Sequence, residues 1–180
     1  MAAFRIVFAG PLGAGKTTAI AALSDAPPVS TEVESAEARA AGKATTTVAF
    51  DYGQVLLPSG DVLLLYGSPG QERFDFMWSI LSENAIGTVV LANNALPNTI
   101  DLTLDYVRAF APRVAAGNCV VGVGRTEHAP LPAVDEYIDA LAQAGFEIPV
   151  MAIDVRERAH NLLLLDVLLA RLEADRKLAA

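Results

Sequence analysis

Cysteine is almost missing from this chain. Cys119 stands alone, so neither a disulfide framework nor a zinc site built from cysteines is available. Histidine occurs twice, and neither His128 nor His160 lies near a carboxylate or cysteine pattern suited to a metal. Both read as surface or loop histidines. Positive charge is scarce: 13 lysines and arginines face 21 acidic residues, a net charge of −8. Without a basic patch, nucleic acid and anionic membranes are poor partners. No apolar run reaches membrane-spanning length, and the short apolar N-terminal run does not read as a secretory signal. Ala2 and the terminal Leu178-Ala179-Ala180 encode neither myristoylation nor prenylation. A cytoplasmic protein with no direct membrane anchor is expected. Charged residues make up 19% and hydrophobic residues 53% of the 180 residues, which reads as one globular domain over 1–180.

Glycine is placed where it matters most near the N-terminus. Gly10-Pro11-Leu12-Gly13-Ala14-Gly15-Lys16-Thr17 follows an apolar run (Phe4, Ile6, Val7, Phe8, Ala9) and leads into a helix-forming run, Thr18 to Leu23. This is G-x-x-x-x-G-K-[ST] between a strand and a helix, the P-loop pattern in its expected setting. The glycines let successive backbone N–H groups curl around an anion, and the helix start adds its positive dipole end. Lys16 is expected to reach the β/γ-phosphates, the Thr17 hydroxyl to ligate Mg²⁺, and Thr18 to close the set. The plainer alternative is a glycine-rich turn with no ligand. The stretch predicts binding of a nucleoside triphosphate.

Strand and helix patterns then alternate. Ser24–Lys43 is polar and punctuated by Pro27, Pro28 and Gly42, and reads as a long loop with a possible short helix over Glu32–Ala41. Thr45–Leu57 and Asp61–Tyr66 flank the turn Pro58-Ser59-Gly60 and read as a hairpin. A helix over Asp75–Asn84 sets Phe74, Met77, Trp78 and Leu81 on one face. Strand Gly87–Leu91 follows, then a helix over Asn98–Ala111 with Leu104, Val107 and Phe110 or Ala111 inward. Strand Asn118–Val123 precedes a helix over Pro132–Ala144 with Val134, Ile138 and Leu141 inward, closed by Gly145. Strand Ile148–Ile153 and helix Arg158–Lys177 complete the series, the helix burying Leu165, Leu168 or Leu169, and Leu172. This order predicts an α/β P-loop NTPase domain: a doubly wound, mostly parallel six-stranded sheet with one antiparallel strand. Ligands of such sheets sit at the carboxyl ends of the strands, where the P-loop lies.

Three stretches carry a family resemblance: Gly10–Thr17, Thr45–Gly53, and Leu65-Tyr66-Gly67-Ser68-Pro69-Gly70-Gln71-Glu72-Arg73-Phe74. With them the chain resembles a Ras-superfamily small GTPase along nearly its whole length. More narrowly it is similar to a bacterial and archaeal branch related to the gliding-motility GTPase MglA. The resemblance implies a molecular switch that binds GTP and GDP with Mg²⁺ and hydrolyses GTP. It implies that Thr47, or else Thr46 in the same run, joins Mg²⁺ and the γ-phosphate, that the Gly70 N–H meets the γ-phosphate, and that Gln71 orients the attacking water. The bland readings are a β-branched strand start for Thr47 and an exposed loop residue for Gln71. It also implies partners of the roadblock type, which activate hydrolysis in that branch.

The chain departs from the family in three places. Gly67 stands where the family has the aspartate of D-x-x-G, removing a carboxylate on the metal side. The guanine-reading N-K-x-D becomes Gly124-Arg125-Thr126-Glu127: Glu127 could accept from the base edge and Arg125 lie over the ring, but Gly124 offers no amide. Asp154-Val155-Arg156 corresponds loosely to the last base loop, with the Val155 N–H as donor to the base. Two other functions stay open: a nucleotide-dependent scaffold with little hydrolysis, and a P-loop small-molecule kinase. The kinase needs a lid of arginines, which Ser24–Lys43 does not supply. Arg39 and Arg73 lie in or beside the expected switch loops, and Phe76 is the aromatic least consistent with an inward face.

Overall fold

The computed structural model describes residues 1–26, 29–34, 47–69, 75–113 and 118–178. Its centre is β1 (Ala3–Ala9), whose last four residues are buried. A continuous apolar run can be covered on both faces, and Ile6–Ala9 of β1 shows the consequence. Ile6 and Phe8 face one layer of helices, while Val7 and Ala9 face the other. The period of two continues in β5 (Ala85–Asn93), which gives Val89 and Leu91 to the first layer and Val90 and Ala92 to the second. Helices α1 (Lys16–Leu23) and α5 (Arg158–Leu178) cover the first face. The second is covered by α2 (Asp75–Ser82), α3 (Thr99–Phe110) and α4 (Val134–Gln143). Each large apolar side chain removed from water contributes about 1.5–3 kcal/mol; the first layer is mostly aliphatic, and the second adds Tyr106, Phe110 and Tyr137 to its valines and leucines.

The sheet order is β2-β3-β4-β1-β5-β6-β7. Here β2 is Val29–Glu34, β3 Thr47–Leu56, β4 Val62–Gly67, β6 Cys119–Gly124 and β7 Val150–Ala152. β4, β1, β5, β6 and β7 run parallel. β3 is antiparallel to β4, with Tyr52 opposite Tyr66 and Leu56 opposite Val62. The six expected strands, with their one antiparallel member, are therefore present. A seventh is added at the edge: β2 pairs antiparallel with β3 from Val29↔Tyr52 to Glu34↔Thr47. This corrects the reading of Ser24–Lys43 as loop and helix. Glu32, Val33 and Glu34 are strand residues, because β3 at ten residues outruns β4 and offers its free edge. The remainder of the expected helix lies outside the described residues.

A second correction concerns α4. Tyr137 and Leu141 are buried, whereas Ile138 is 43% exposed. The helix turns Tyr137 inward because its hydroxyl finds partners there: it donates to Asn94 Oδ1 at 2.6 Å and lies 2.9 Å from Thr99 Oγ1. Trp78 of α2 packs half-buried against Tyr106 and Phe110, with ring centroids 5.2 Å away in each case. It is a core contact. Phe74 and the side chains of Phe76 and Met77 lie outside the described set. Among the described residues, no helix is long and apolar enough to cross a membrane.

Candidate functional site

The loop between β1 and α1 sits at the carboxyl edge of the parallel strands, as strand-to-helix connections in such sheets require. Two glycines show why side chains are excluded there. A Cβ on Gly10 would come within 2.3 Å of the Leu91 carbonyl oxygen, inside the backbone of β5. Gly15 has a φ of +92°, and a Cβ there would meet Val155 Cγ2 at 2.8 Å. Gly15 also caps α1, and the first intrahelical bond is Ala19 N–H to the Gly15 carbonyl at 2.9 Å. The N–H groups from Gly15 to Thr18 consequently have no acceptor within the helix. Leu12 lies on the outer bend, 71% exposed.

Lys16 is folded back over this loop, its Nζ donating to the Gly10 carbonyl at 2.7 Å and the Pro11 carbonyl at 2.9 Å. Burial pulls its pKa down to about 8, with the negative charge of Asp51 opposing. Asp51 lies on β3, and its Oδ2 accepts the Thr17 hydroxyl proton at 2.6 Å. A hydroxyl that donates its hydrogen to a carboxylate keeps its lone pairs for a cation. N–H groups at a helix start, an ammonium and a hydroxyl–carboxylate pair form a donor set that fits a polyphosphate with a divalent cation.

From the P-loop a cleft of about 360 Å³ opens sideways. Gly13, Ala14, Gly15 and Thr18 form one wall, residues 124–128 the second and residues 152–156 the third. Arg125 and Glu127 are therefore brought to the same cleft as Val155 and the P-loop. Arg125 adopts a φ of +66°, and its carbonyl accepts from the His128 and Ala129 N–H groups at 3.1 and 2.9 Å. Asn94 holds this loop from below, donating from Nδ2 to the Ala129 and Pro132 carbonyls at 2.6 and 3.0 Å. The third wall is equally constrained. Asp154 is gripped by Arg156 through Nε at 2.9 Å and Nη2 at 2.5 Å, which holds its carboxyl at about 2. Asn161 Nδ2 donates to the Val155 carbonyl at 2.8 Å, and the Asp154 N–H donates to His160 Nδ1 at 3.0 Å.

Of the residues expected to sense the γ-phosphate, Thr47 opens β3 opposite Glu34 of β2. Thr46, Gly70 and Gln71, with Arg39 and Arg73, lie outside the described residues. Two residues at the site had no role assigned from sequence. Asp51 carried a signal, being the one charge in the otherwise apolar and polar-neutral run Val48–Gly53. Asn93 was visible only as part of a polar pair ending a buried strand. Its Nδ2 donates to the Gly13 carbonyl at 3.2 Å and its Oδ1 accepts the Ala95 N–H at 3.1 Å. It ties the end of β5 to the P-loop, on the side where Gly124 has no side chain to offer.

No family model matches the chain, and no curated protein matches its sequence. Among solved structures it is similar to the G domain of the T. maritima FeoB iron transporter, at 15% identity and a TM-score of 0.67 over 93% of this chain and 98% of that one. It is also similar to the bacterial selenocysteine-specific elongation factor EF-Sec, at 16% identity and a TM-score of 0.66 over 95% of this chain and 29% of that one. The likeness establishes the fold. This chain has the architecture of a P-loop GTPase G domain.

Proposed function

We propose that this protein is a guanine-nucleotide switch that binds GTP and GDP with Mg²⁺ and hydrolyses GTP slowly by itself. One observation carries the reading: the P-loop, with Lys16 across it, opens directly into a cleft whose far walls bear Arg125, Glu127 and Val155. A phosphate chain and a planar base need that adjacency. Gly10 to Thr18 would hold the phosphates through backbone N–H groups and the Lys16 ammonium, which must swing from the Gly10 and Pro11 carbonyls to the ligand. Glu127 would accept from the base N–H groups, Arg125 would lie over its face, and the Val155 N–H would donate to its carbonyl oxygen. Thr17 and Thr47 would hold the Mg²⁺, which, when bound, neutralises charge on the β- and γ-phosphates.

Hydrolysis would then depend on positioning and charge rather than on covalent chemistry. Gln71 would orient water, and the Gly70 N–H would donate to the γ-phosphate, by the family resemblance. The narrower placement beside MglA rests on the sequence stretches alone. It brings with it a roadblock-type activating partner and a cytoplasmic setting. An arginine donated by a partner would add roughly 10³–10⁵-fold. The test is calorimetric titration with GTP, GDP and ATP, with and without Mg²⁺, followed by single-turnover phosphate release with Gln71→Ala as the control. Micromolar guanine-nucleotide binding is expected. Failure of GTP and GDP to bind at millimolar concentration would refute the proposal.

A further inference from the structure

The family's metal-side carboxylate belongs on β4, where this chain has Gly67. The structure puts a carboxylate in the same place from the neighbouring strand. In the β3–β4 register Tyr52 pairs with Tyr66, so one step further Asp51 stands opposite Gly67. A Cβ built on Gly67 lies 3.1 Å from the flexible end of Ile20 at Cδ1, 3.2 Å from Asp51 Cβ and 3.3 Å from Asp51 Oδ2. A side chain at position 67 would thus claim the volume that Asp51 fills. The volume admits one carboxylate, and the backbone offers two strands from which to supply it.

We propose that Asp51 is the positioning carboxylate of the metal site, transferred from β4 to β3 across a cross-strand pair. The proposal rests on the nucleotide reading above. Asp51 accepts the Thr17 hydroxyl hydrogen at 2.6 Å, which aims the oxygen's lone pairs away from β3. Its second carboxylate oxygen remains to accept from water bound to the cation. A purely structural account would make the bond a link between α1 and β3. That account predicts that an amide, whose oxygen also accepts from Thr17, serves as well as the acid. The positional account requires the negative charge, because the second oxygen would accept from the water shell of a bound divalent cation.

The test measures how Mg²⁺ tightens nucleotide binding, using displacement of a fluorescent GDP from the full chain across a Mg²⁺ titration. Asp51→Asn keeps the shape and should raise the Mg²⁺ concentration for half-maximal tightening by about 10–100-fold, the usual effect of removing an outer partner of a metal ligand. Thermal unfolding of the nucleotide-free variant checks that the fold is kept. Asp51→Gly combined with Gly67→Asp returns a carboxylate from the other strand and should recover the Mg²⁺ midpoint to within about threefold of the parent. An Asp51→Asn midpoint equal to the parent's would overturn the proposal, as would a loss of GDP affinity of the same size with and without Mg²⁺. If the parent chain binds no guanine nucleotide at all, the functional reading fails instead, and the two failures are told apart by that control.

Discussion

Replacing Gly15 by alanine imposes two separate costs, and a second substitution removes only one of them. The first is conformational: at a φ of +92° an L-residue pays about 1–2 kcal/mol. The second is steric. The new methyl would sit 2.8 Å from Val155 Cγ2 and 3.4 Å from Val155 Cγ1, and rotating the valine trades one methyl for the other. Crowding of this kind costs about 1–3 kcal/mol, so Gly15→Ala should destabilise the nucleotide-free protein by about 2–5 kcal/mol. Val155→Ala alone removes two methyls from a half-buried position and should cost about 1 kcal/mol. In the double variant the clash is gone and the conformational cost remains. The two effects should then fall short of additivity by the steric cost, about 1–3 kcal/mol. Urea unfolding followed by circular dichroism, with unchanged m-values, reads this directly. Additivity within about 0.5 kcal/mol would refute the claim that the phosphate loop and the loop at 154–157 are in mechanical contact.

Three further outcomes follow from the site. Nucleotide affinity should be level up to about pH 8 and then fall, because only the charged Lys16 binds phosphate and its free pKa is about 8. Between pH 7 and 9 the fall should be about tenfold, measured by calorimetry, and Lys16→Ala should show weak, pH-independent binding in that range. Tyr137→Phe strands Asn94 Oδ1 and Thr99 Oγ1 in the core and should cost about 1–3 kcal/mol in chemical unfolding. The Asp154 carboxyl, followed by carbon NMR, should titrate near 2 rather than at its ordinary 3.8, and Arg156→Ala should return it upward. Its contribution to stability is present above 3.8 and disappears as the pH falls through about 2.

The P-loop and the alternation of elements were legible because both are local: glycine spacing, and runs whose period is two or 3.6. Gly145 could be placed as a helix stop from its position alone, and it has a φ of +85°. What escaped was set by neighbours distant in sequence. Val29–Glu34 sets two valines, four residues apart, among serine, threonine and two glutamates, too polar to announce a strand, and it becomes one because β3 leaves an edge unpaired. Ile138 out-competes Tyr137 on hydrophobicity, yet the tyrosine turns inward because Asn94 and Thr99 wait for its hydroxyl. Gly67 announced a missing carboxylate. That Asp51 fills the gap could be seen only once strand register put the two side by side.

Arg158 at the head of α5 donates to the carbonyls of Ala22 and Leu23 at the far end of α1, at 3.0 and 2.5 Å, and pairs with Asp25 at 3.1 Å. Val155, three residues earlier, abuts Gly15 at the near end. The segment 155–158 therefore braces α1 at both tips like a splint, and the helix cannot slide along its axis without disturbing it. A change in the exposed Arg158–Asp25 pair, far from any phosphate, would loosen the P-loop's seat. On the nucleotide reading proposed above, the residence time of a bound nucleotide would be open to adjustment from the back of the molecule.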